Sequence, residues 1–317
     1  MRVLVTGGAG FIGSHVAEDF VKSGARVRVL DDFSTGRREN IEAFAGALEL
    51  IEGSLADEDT VARAAEGVDV ILHQGALPSV PRSHARPLES NDANVRGTLN
   101  VLLAARRTRA ARVVIASSSS VYGDSETLPK TETMKPEPKS IYAATKLAGE
   151  HYAGVFHETF GVPTLCLRYF NVFGPRQDPA SQYAAVIPRF ITDVARGVKP
   201  TVFGDGTQSR DFTYVANVVH ANRLAATIGD FPAGAVCNVA CGARYDLLRL
   251  ISLINAFLGA AVEPQFAPPR PGDVKHSLAD VSLAKKLLGY EPVVSFEEGL
   301  RRTVEFFAGF NKKVDLK

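Results

Sequence analysis

Apolar positions in the first half of the chain switch between two periods. Val3–Thr6 is a short apolar run, and Phe11–Ser23 then carries Phe11, Ile12, Val16, Phe20 and Val21 at helical spacing. Further apolar runs stand at Arg26–Leu30, Leu48–Glu52, Val68–His73, Arg112–Ala116 and Pro163–Arg168, with helical patterns near Glu89–Arg109 and Ile141–Phe160 between the later ones. Strand–helix alternation of this kind predicts a parallel sheet covered on both faces. The expected fold is therefore α/β, a Rossmann-type doubly wound sheet.

Beyond Asn171 the pattern changes. Gly, Pro and polar residues gather between Gly174 and Gln182 and between Phe266 and Gly272. Helical patterns recur near Ala185–Arg196, Val215–Ile228, Asp246–Leu258 and Phe296–Phe310. This predicts a dinucleotide-binding domain over 1–171 and a smaller α/β substrate lobe over 172–317, discontinuous because 215–239 returns to the large sheet.

Composition narrows the class. The 317 residues are 45% hydrophobic and 22% charged, the balance of a globular enzyme. A net charge of +1, with no basic run longer than Arg37-Arg38 or Arg106-Arg107, argues against a nucleic-acid partner. Each apolar stretch breaks before the ~18 residues a membrane span needs. The opening Met1-Arg2-Val3-Leu4-Val5 reads as a strand rather than a leader. Cys166, Cys237 and Cys241 form no CxxC, so reduced thiols and a cytoplasmic setting are expected. His73, His84, His151 and His276 lack metal-ligand spacing and read as structural or solvent-facing; no metal is expected.

Chemistry concentrates at two motifs. Thr6-Gly7-Gly8-Ala9-Gly10-Phe11-Ile12-Gly13 joins the first strand to the first helix with GxxGxxG spacing. Such a turn brings backbone close to a pyrophosphate and aims a helix N-terminus at it. The second strand ends in Asp31-Asp32, 18 residues beyond Gly13. A carboxylate there accepts from an adenosine ribose diol and repels a 2′-phosphate, favouring NAD over NADP. Arg37 and Arg38 could serve a 2′-phosphate but read as residues of a solvated loop. The second motif is Tyr142-Ala143-Ala144-Thr145-Lys146, which puts a phenol and an ammonium on one helical face. A tyrosine of pKa about 10 is a poor base, but neighbouring positive charge favours its phenolate. Ser117–Ser120 closes the fifth strand, where open α/β sheets bind ligands, and supplies a hydroxyl donor.

Together these motifs resemble the extended short-chain dehydrogenase/reductase superfamily from Met1 to about Phe306. Its markers also appear as His73-Gln74-Gly75-Ala76, Asn94-Val95-Arg96-Gly97-Thr98, Val121-Tyr122-Gly123 and Leu167-Arg168-Tyr169-Phe170-Asn171. The resemblance implies Tyr142 as catalytic base and acid, Lys146 as its tuner and ribose ligand, and Ser118 as the catalytic hydroxyl. It implies NAD contacts from Gly7, Gly10, Phe11, Ile12, Gly13, Asp31, Asp32, Ser34 and Gly36. Ser54, Leu55, Gln74, Ala76, Asn94, Tyr142, Lys146 and Tyr169 complete that set.

Within the superfamily the chain is most similar to nucleotide-sugar epimerases, in the UDP-N-acetylglucosamine branch of the UDP-glucose 4-epimerase family. Ser79-Val80-Pro81-Arg82-Ser83, Arg176-Gln177-Asp178-Pro179, Tyr183–Pro188 and Gly272-Asp273-Val274 with His276-Ser277 carry that likeness. It implies a UDP-sugar substrate and a homodimer formed through the Glu89–Arg109 and Ile141–Phe160 helices. Arg210 and Arg270 would clamp the diphosphate, as guanidinium forks suit phosphate oxygens. Asp273 would meet the uridine ribose, Asn171 the β-phosphate side, and Ala185 and Val186 the nucleoside. Ser79, Ser118, Ser119, Ser120, Tyr142, Val202, Phe203 and Ser277 complete the implied substrate set. Serine at 277, where a tyrosine would leave room only for a 2-hydroxyl sugar, implies space for an N-acetyl group.

The chain departs from the pattern at Gly53-Ser54-Leu55, where the family usually has an Asp toward adenine, at Gly75, and at Pro78, where the glucose branch has a lysine. Ser119 and Ser120 replace the Asp–Glu pair a 4,6-dehydratase needs. UDP-glucuronate 4-epimerisation or decarboxylation stays open. A non-catalytic NAD-binding regulator would be expected to lose the Tyr–Lys pair that this chain keeps.

Overall fold

The structure is a computed structural model that describes residues 1–179, 186–269 and 275–314. Its centre is a seven-stranded parallel sheet. In chain order the strands are β1 (Arg2–Thr6), β2 (Arg26–Asp31), β3 (Leu48–Glu52), β4 (Val70–His73), β5 (Arg112–Ser118), β6 (Thr164–Tyr169) and β7 (Ala235–Val239). Their spatial order is β7-β6-β5-β4-β1-β2-β3. The chain runs outward from β1 through β2 to β3, then restarts on the other side of β1 at β4. The crevice at the carboxyl ends of β1 and β4 is thus the topological switch point where such sheets bind ligands.

Both faces of the sheet are apolar, which explains why its central strands read as continuous apolar runs. Val3, Val5, Val29, Leu72 and Leu167 face one buried core with α1 (Phe11–Lys22), α8 (Val215–Thr227) and α10 (Ser282–Leu288). Leu4, Leu30, Ile71, Val113 and Cys166 face the other, under α2 (Glu58–Ala65), α5 (Gly97–Thr108) and α6 (Ile141–Phe160). Residues 235–239 pair in parallel with β6, so the chain does return to the large sheet.

A second core gathers α7 (Val186–Ala195), α9 (Leu247–Leu258) and α11 (Phe296–Val314) around Phe173, Phe212 and Phe296. Phe212 stacks on Phe296 at 5.6 Å between ring centroids. Two-stranded pairings stitch this part together, Val172–Phe173 with Thr213–Tyr214 and Ser209–Arg210 with Tyr245–Asp246. Short α3 (Val80–Ala85) and α4 (Pro87–Asn91) follow the loop after β4, and a π-helical turn at Asp92–Arg96 joins α4 to α5.

Candidate active site

A cavity of about 700 Å³ opens at the switch point, within the range of cofactor and substrate sites. The glycine loop forms its floor. A Cβ on Gly13 would lie 2.1 Å from the Gly7 carbonyl oxygen, and one on Gly7 2.5 Å from Gly75 Cα, so the protein's own packing requires both glycines. Gly10 differs. A Cβ there would meet only the Gly7 oxygen, at 3.1 Å, so its missing side chain leaves room on the cavity side. Gly10 is the N-cap of α1 and makes no side-chain cap bond. The first-turn N–H groups of this helix suit an anion such as a pyrophosphate.

At the carboxyl end of β2, Asp31 and Asp32 both line the cavity. The Asp31 carboxylate accepts from Ala9 N and Phe33 N, each at 2.8 Å, and burial pushes its pKa up against those bonds. Asp32 accepts from Ser34 N at 2.9 Å. Arg37 pairs with Asp178, and Arg38 pairs with Glu52 while lying over the Phe33 ring. Both arginines are thus engaged with carboxylates on an exposed loop, and Arg37 also lines the cavity mouth. The amide oxygen of Gln177, another lining residue, is buried with no partner among the described residues. Uncapped amides, cavity-lining carboxylates and an unmet acceptor together fit a dinucleotide lacking a 2′-phosphate.

The middle of the cavity holds Tyr142 and Lys146. They sit on the first turns of α6, whose start is fixed by the Ser140 cap on Ala143 N at 3.1 Å. Ser83 also accepts from Tyr142 N at 3.0 Å, tying α6 to α3. Lys146 Nζ donates to Ala116 O at 2.8 Å. Burial lowers its pKa to about 8, and the Glu150 carboxylate one turn on opposes that fall. Burial raises the Tyr142 pKa, and a hydrogen bond from Ser118 opposes that rise. With the protein's own groups alone, Tyr142 is a phenol at neutral pH.

A family model described as "NAD dependent epimerase/dehydratase family" matches residues 3–240. The chain belongs to this NAD dependent epimerase/dehydratase family. Its solved likenesses include a UDP-N-acetylglucosamine 4-epimerase from Methanobrevibacter ruminantium M1 in complex with UDP-N-acetylmuramic acid. The two chains share 40% identity over 98% of each, with a TM-score of 0.93. A UDP-glucose 4-epimerase from Mycolicibacterium smegmatis is 38% identical over 97% of this chain and 98% of its own. A UDP-glucuronic acid 4-epimerase from Bacillus cereus, in complex with UDP-glucuronic acid and NAD, is 32% identical with a TM-score of 0.91, covering 98% of this chain and all (100%) of the other. The cofactor of this family member is NAD.

The cavity also takes in Phe11, Ile12, Ser34, Gly36, Ser54, Leu55, Gln74, Ala76, Ser79 and Tyr169. Asn94 stands behind the wall rather than in it. Its amide accepts from Leu77 N at 2.7 Å and donates to Thr145 Oγ1 at 3.0 Å, so it acts on a ligand only through the Leu77 loop. Ser118 also accepts from Ser120 Oγ at 2.9 Å, and Ser119 begins the 3-10 turn that follows. Val202 is a correction. It is fully buried in the second core, where an apolar side chain on the middle of a short strand is drawn away from the cavity. Phe203, next along that strand, is half-buried, and Val186 opens α7 at the rim of the second core.

The residues expected to face the sugar come together across long sequence distances. Asn171 Nδ2 donates to Ser277 Oγ at 3.0 Å and to Asp211 O at 3.1 Å. Arg210 Nη1 donates to Ser209 O at 3.0 Å and Lys275 O at 3.1 Å. Ala185, Arg270 and Asp273 lie outside the described residues.

Three buried polar side chains near the cavity are given no site role by the motifs. Asp211 is fully buried and accepts from Cys241 N, Gly242 N and Ala279 N at 3.0, 3.0 and 3.2 Å; burial raises its pKa to about 6 against those bonds. Its position beside Arg210 in Ser209-Arg210-Asp211-Phe212 was the available signal. Glu150, one turn after Lys146, accepts from Ser117 Oγ at 2.5 Å and from Arg168 Nε and Nη2 at 2.8 and 2.7 Å. His73 is buried between Thr6 Oγ1 at 2.7 Å and Thr98 Oγ1 at 3.0 Å. Thr98 spends its proton on Asn94 O, so it accepts from His73 Nε2–H, and Nδ1 accepts from Thr6.

Proposed function

We propose that the protein interconverts C4 epimers of a UDP-hexose, with UDP-N-acetylglucosamine and UDP-N-acetylgalactosamine as the preferred pair and UDP-glucose and UDP-galactose also accepted. The observation that carries this reading is the Ser118–Tyr142–Lys146 arrangement at the carboxyl end of β5, with serines at 119 and 120. NAD, held by the glycine loop, Asp31 and Lys146, would supply reversible hydride exchange at C4, so that hydride lost from one face could be regained on the other. Tyr142 takes the O4 proton in the oxidative half and gives it back in the reductive half. Ser118 hydrogen-bonds the reacting oxygen and stabilises the phenolate. Lys146, anchored on Ala116 O, holds the ribose beside them and contributes positive charge. Ser119 and Ser120 offer no acid or base for removing water across C5–C6, which favours epimerisation over 4,6-dehydration.

Substrate size rests on Ser277. Asn171 and the Asp211 backbone hold its hydroxyl in place, and its small side chain leaves space for the planar N-acetyl group. Arg210, Arg270 and Asp273 remain the proposed diphosphate and ribose ligands. The dimer reading is supported by exposed Leu88, Tyr152 and Val155 near and on α6. A cytoplasmic setting remains the proposal from the three free thiols.

The test is NMR of the purified protein incubated separately with UDP-GlcNAc, UDP-Glc and UDP-glucuronate. The reading predicts C4 epimers from the first two, without added cofactor. Ser277→Tyr should then depress kcat/KM for the acetylated sugars far more than for the plain ones. No turnover of UDP-GlcNAc, or a pentose and CO2 from the uronate, contradicts it.

A further inference from the structure

Residues 172–178, which follow β6, are fastened to the cofactor half at three points. His15 Nε2 donates to Pro175 O at 3.0 Å, a bond consistent with a neutral ring whose pKa burial lowers to about 4. Arg176, at φ +66°, reaches Glu18 and Ser14 on α1. Asp178 then meets Arg37 at 2.7 Å. The two ends of this last pair differ in rigidity. The backbone of Arg37 donates to Ala9 O in the glycine loop at 3.0 Å, and buried Asn40 donates to the same oxygen at 2.8 Å. Arg37 is therefore a fixed post on the cavity floor, whereas Asp178 closes a strap. Gly10, Ser34, Arg37, Arg176, Gln177 and Asp178 all line the cavity, and the Arg37–Asp178 pair ties the strap to the loop that follows β2.

We propose that Arg37 and Asp178 form a latch that retains the dinucleotide by closing the 172–178 strap over its groove. The proposal rests on the cofactor being recycled within each turnover, as the epimerase reading requires. A reaction that oxidises and then re-reduces one carbon gains nothing from an exchangeable dinucleotide, and release midway strands a ketone. The pair is half-exposed, so its effect is a several-fold change in lifetime rather than an absolute lock.

A competing role for Arg37 predicts the opposite sign at its partner. If Arg37 simply attracted the pyrophosphate, removing the Asp178 charge would free the guanidinium for that task and slow release. A latch predicts faster release. The experiment loads purified protein with NADH and follows its fluorescence on chasing with excess NAD, so sugar turnover does not enter the readout. Asp178→Asn and Arg37→Gln should each accelerate release about fivefold, and the double variant no further. Raising KCl from about 0.02 to about 0.5 M should accelerate release from the wild type but not from Asp178→Asn. Slower or unchanged release from Asp178→Asn, or additive effects in the double variant, overturns the latch. Loss of epimerisation with release kinetics as predicted would instead count only against the substrate reading.

Discussion

The floor of the cavity and the sugar-side seam are built in opposite ways. Most of the floor comes from single stretches of chain: a strand, a glycine turn and a helix in residues 2–22, and a capped helix that carries Tyr142 and Lys146 four residues apart. The seam brings together Asn171, Asp211, Cys241, Ser277 and Ala279, whose contacts span 30 to 106 positions. Local geometry fixes the floor once its strand and helix form. The seam exists only when the second core has folded against the sheet. If the floor holds the cofactor and the seam the sugar, as proposed, substitutions should separate the two.

The largest expected effect falls on the floor. Tyr142→Phe removes the proton carrier at O4 and should lower kcat by at least roughly 10²-fold, while the melting temperature and bound NAD stay near those of the wild type. Near-normal turnover would refute the assigned role.

A smaller pair of effects separates the regions directly. Gly13→Ala forces a Cβ onto the Gly7 carbonyl, a backbone atom that cannot swing aside, and should strip NAD from the purified protein. Asp211→Asn replaces a carboxylate that serves three backbone donors with a group that turns its own N–H toward at least one of them. Leaving a buried donor unmet costs about 1–3 kcal/mol, so KM for the UDP-sugar should rise roughly tenfold while NAD is retained. Measuring bound NAD and KM on both variants decides the matter. Loss of NAD from Asp211→Asn would show that floor and seam are one unit.

The two parts should also respond to acid with opposite signs. Burial, helped by the Lys146 charge, lowers the His73 pKa to about 3, below the ~6.5 of an unfolded histidine. Its contribution to stability is complete above pH ~6.5 and declines as pH falls toward 3. Asp211, raised to about 6, holds its proton in the folded protein where the unfolded chain has lost it. The cost of ionising it, about 3 kcal/mol, is felt above pH 6 and fades as pH falls toward 3.8. Hydrogen exchange between pH 7 and pH 5 should show falling protection at β1 and β4 and steady or rising protection at Cys241, Gly242 and Ala279, relative to the molecule's average. Parallel changes in both regions would count against this division.

The same contrast explains what could be read without coordinates. Helix α6 occupies Ile141–Phe160 as the pattern predicts, because its limits are written locally by the Ser140 cap and by Gly161 at φ +67°. The glycine turn was legible for the same reason. Helix α2 was not, since eight residues capped by Asp57 carry too few apolar repeats to stand out. Asn94 sits in a recognisable motif, but only the fold shows that its amide grips Leu77 rather than lining the cavity. Val202 reads as one more apolar residue near a binding segment, and its burial follows from a second core that no short window reveals. Nothing local marks Arg37 as the partner of Asp178, 141 positions away.

The central claim is that one carbon is oxidised and re-reduced inside a single closed site, with Tyr142 moving only the O4 proton. UDP-GlcNAc carrying deuterium at C4 tests it most directly, with the product followed by NMR and mass spectrometry in ordinary water. The account predicts UDP-GalNAc that keeps its deuterium at C4, because the label leaves and returns as hydride without meeting solvent. Product with protium at C4, or label recovered in water, would contradict it.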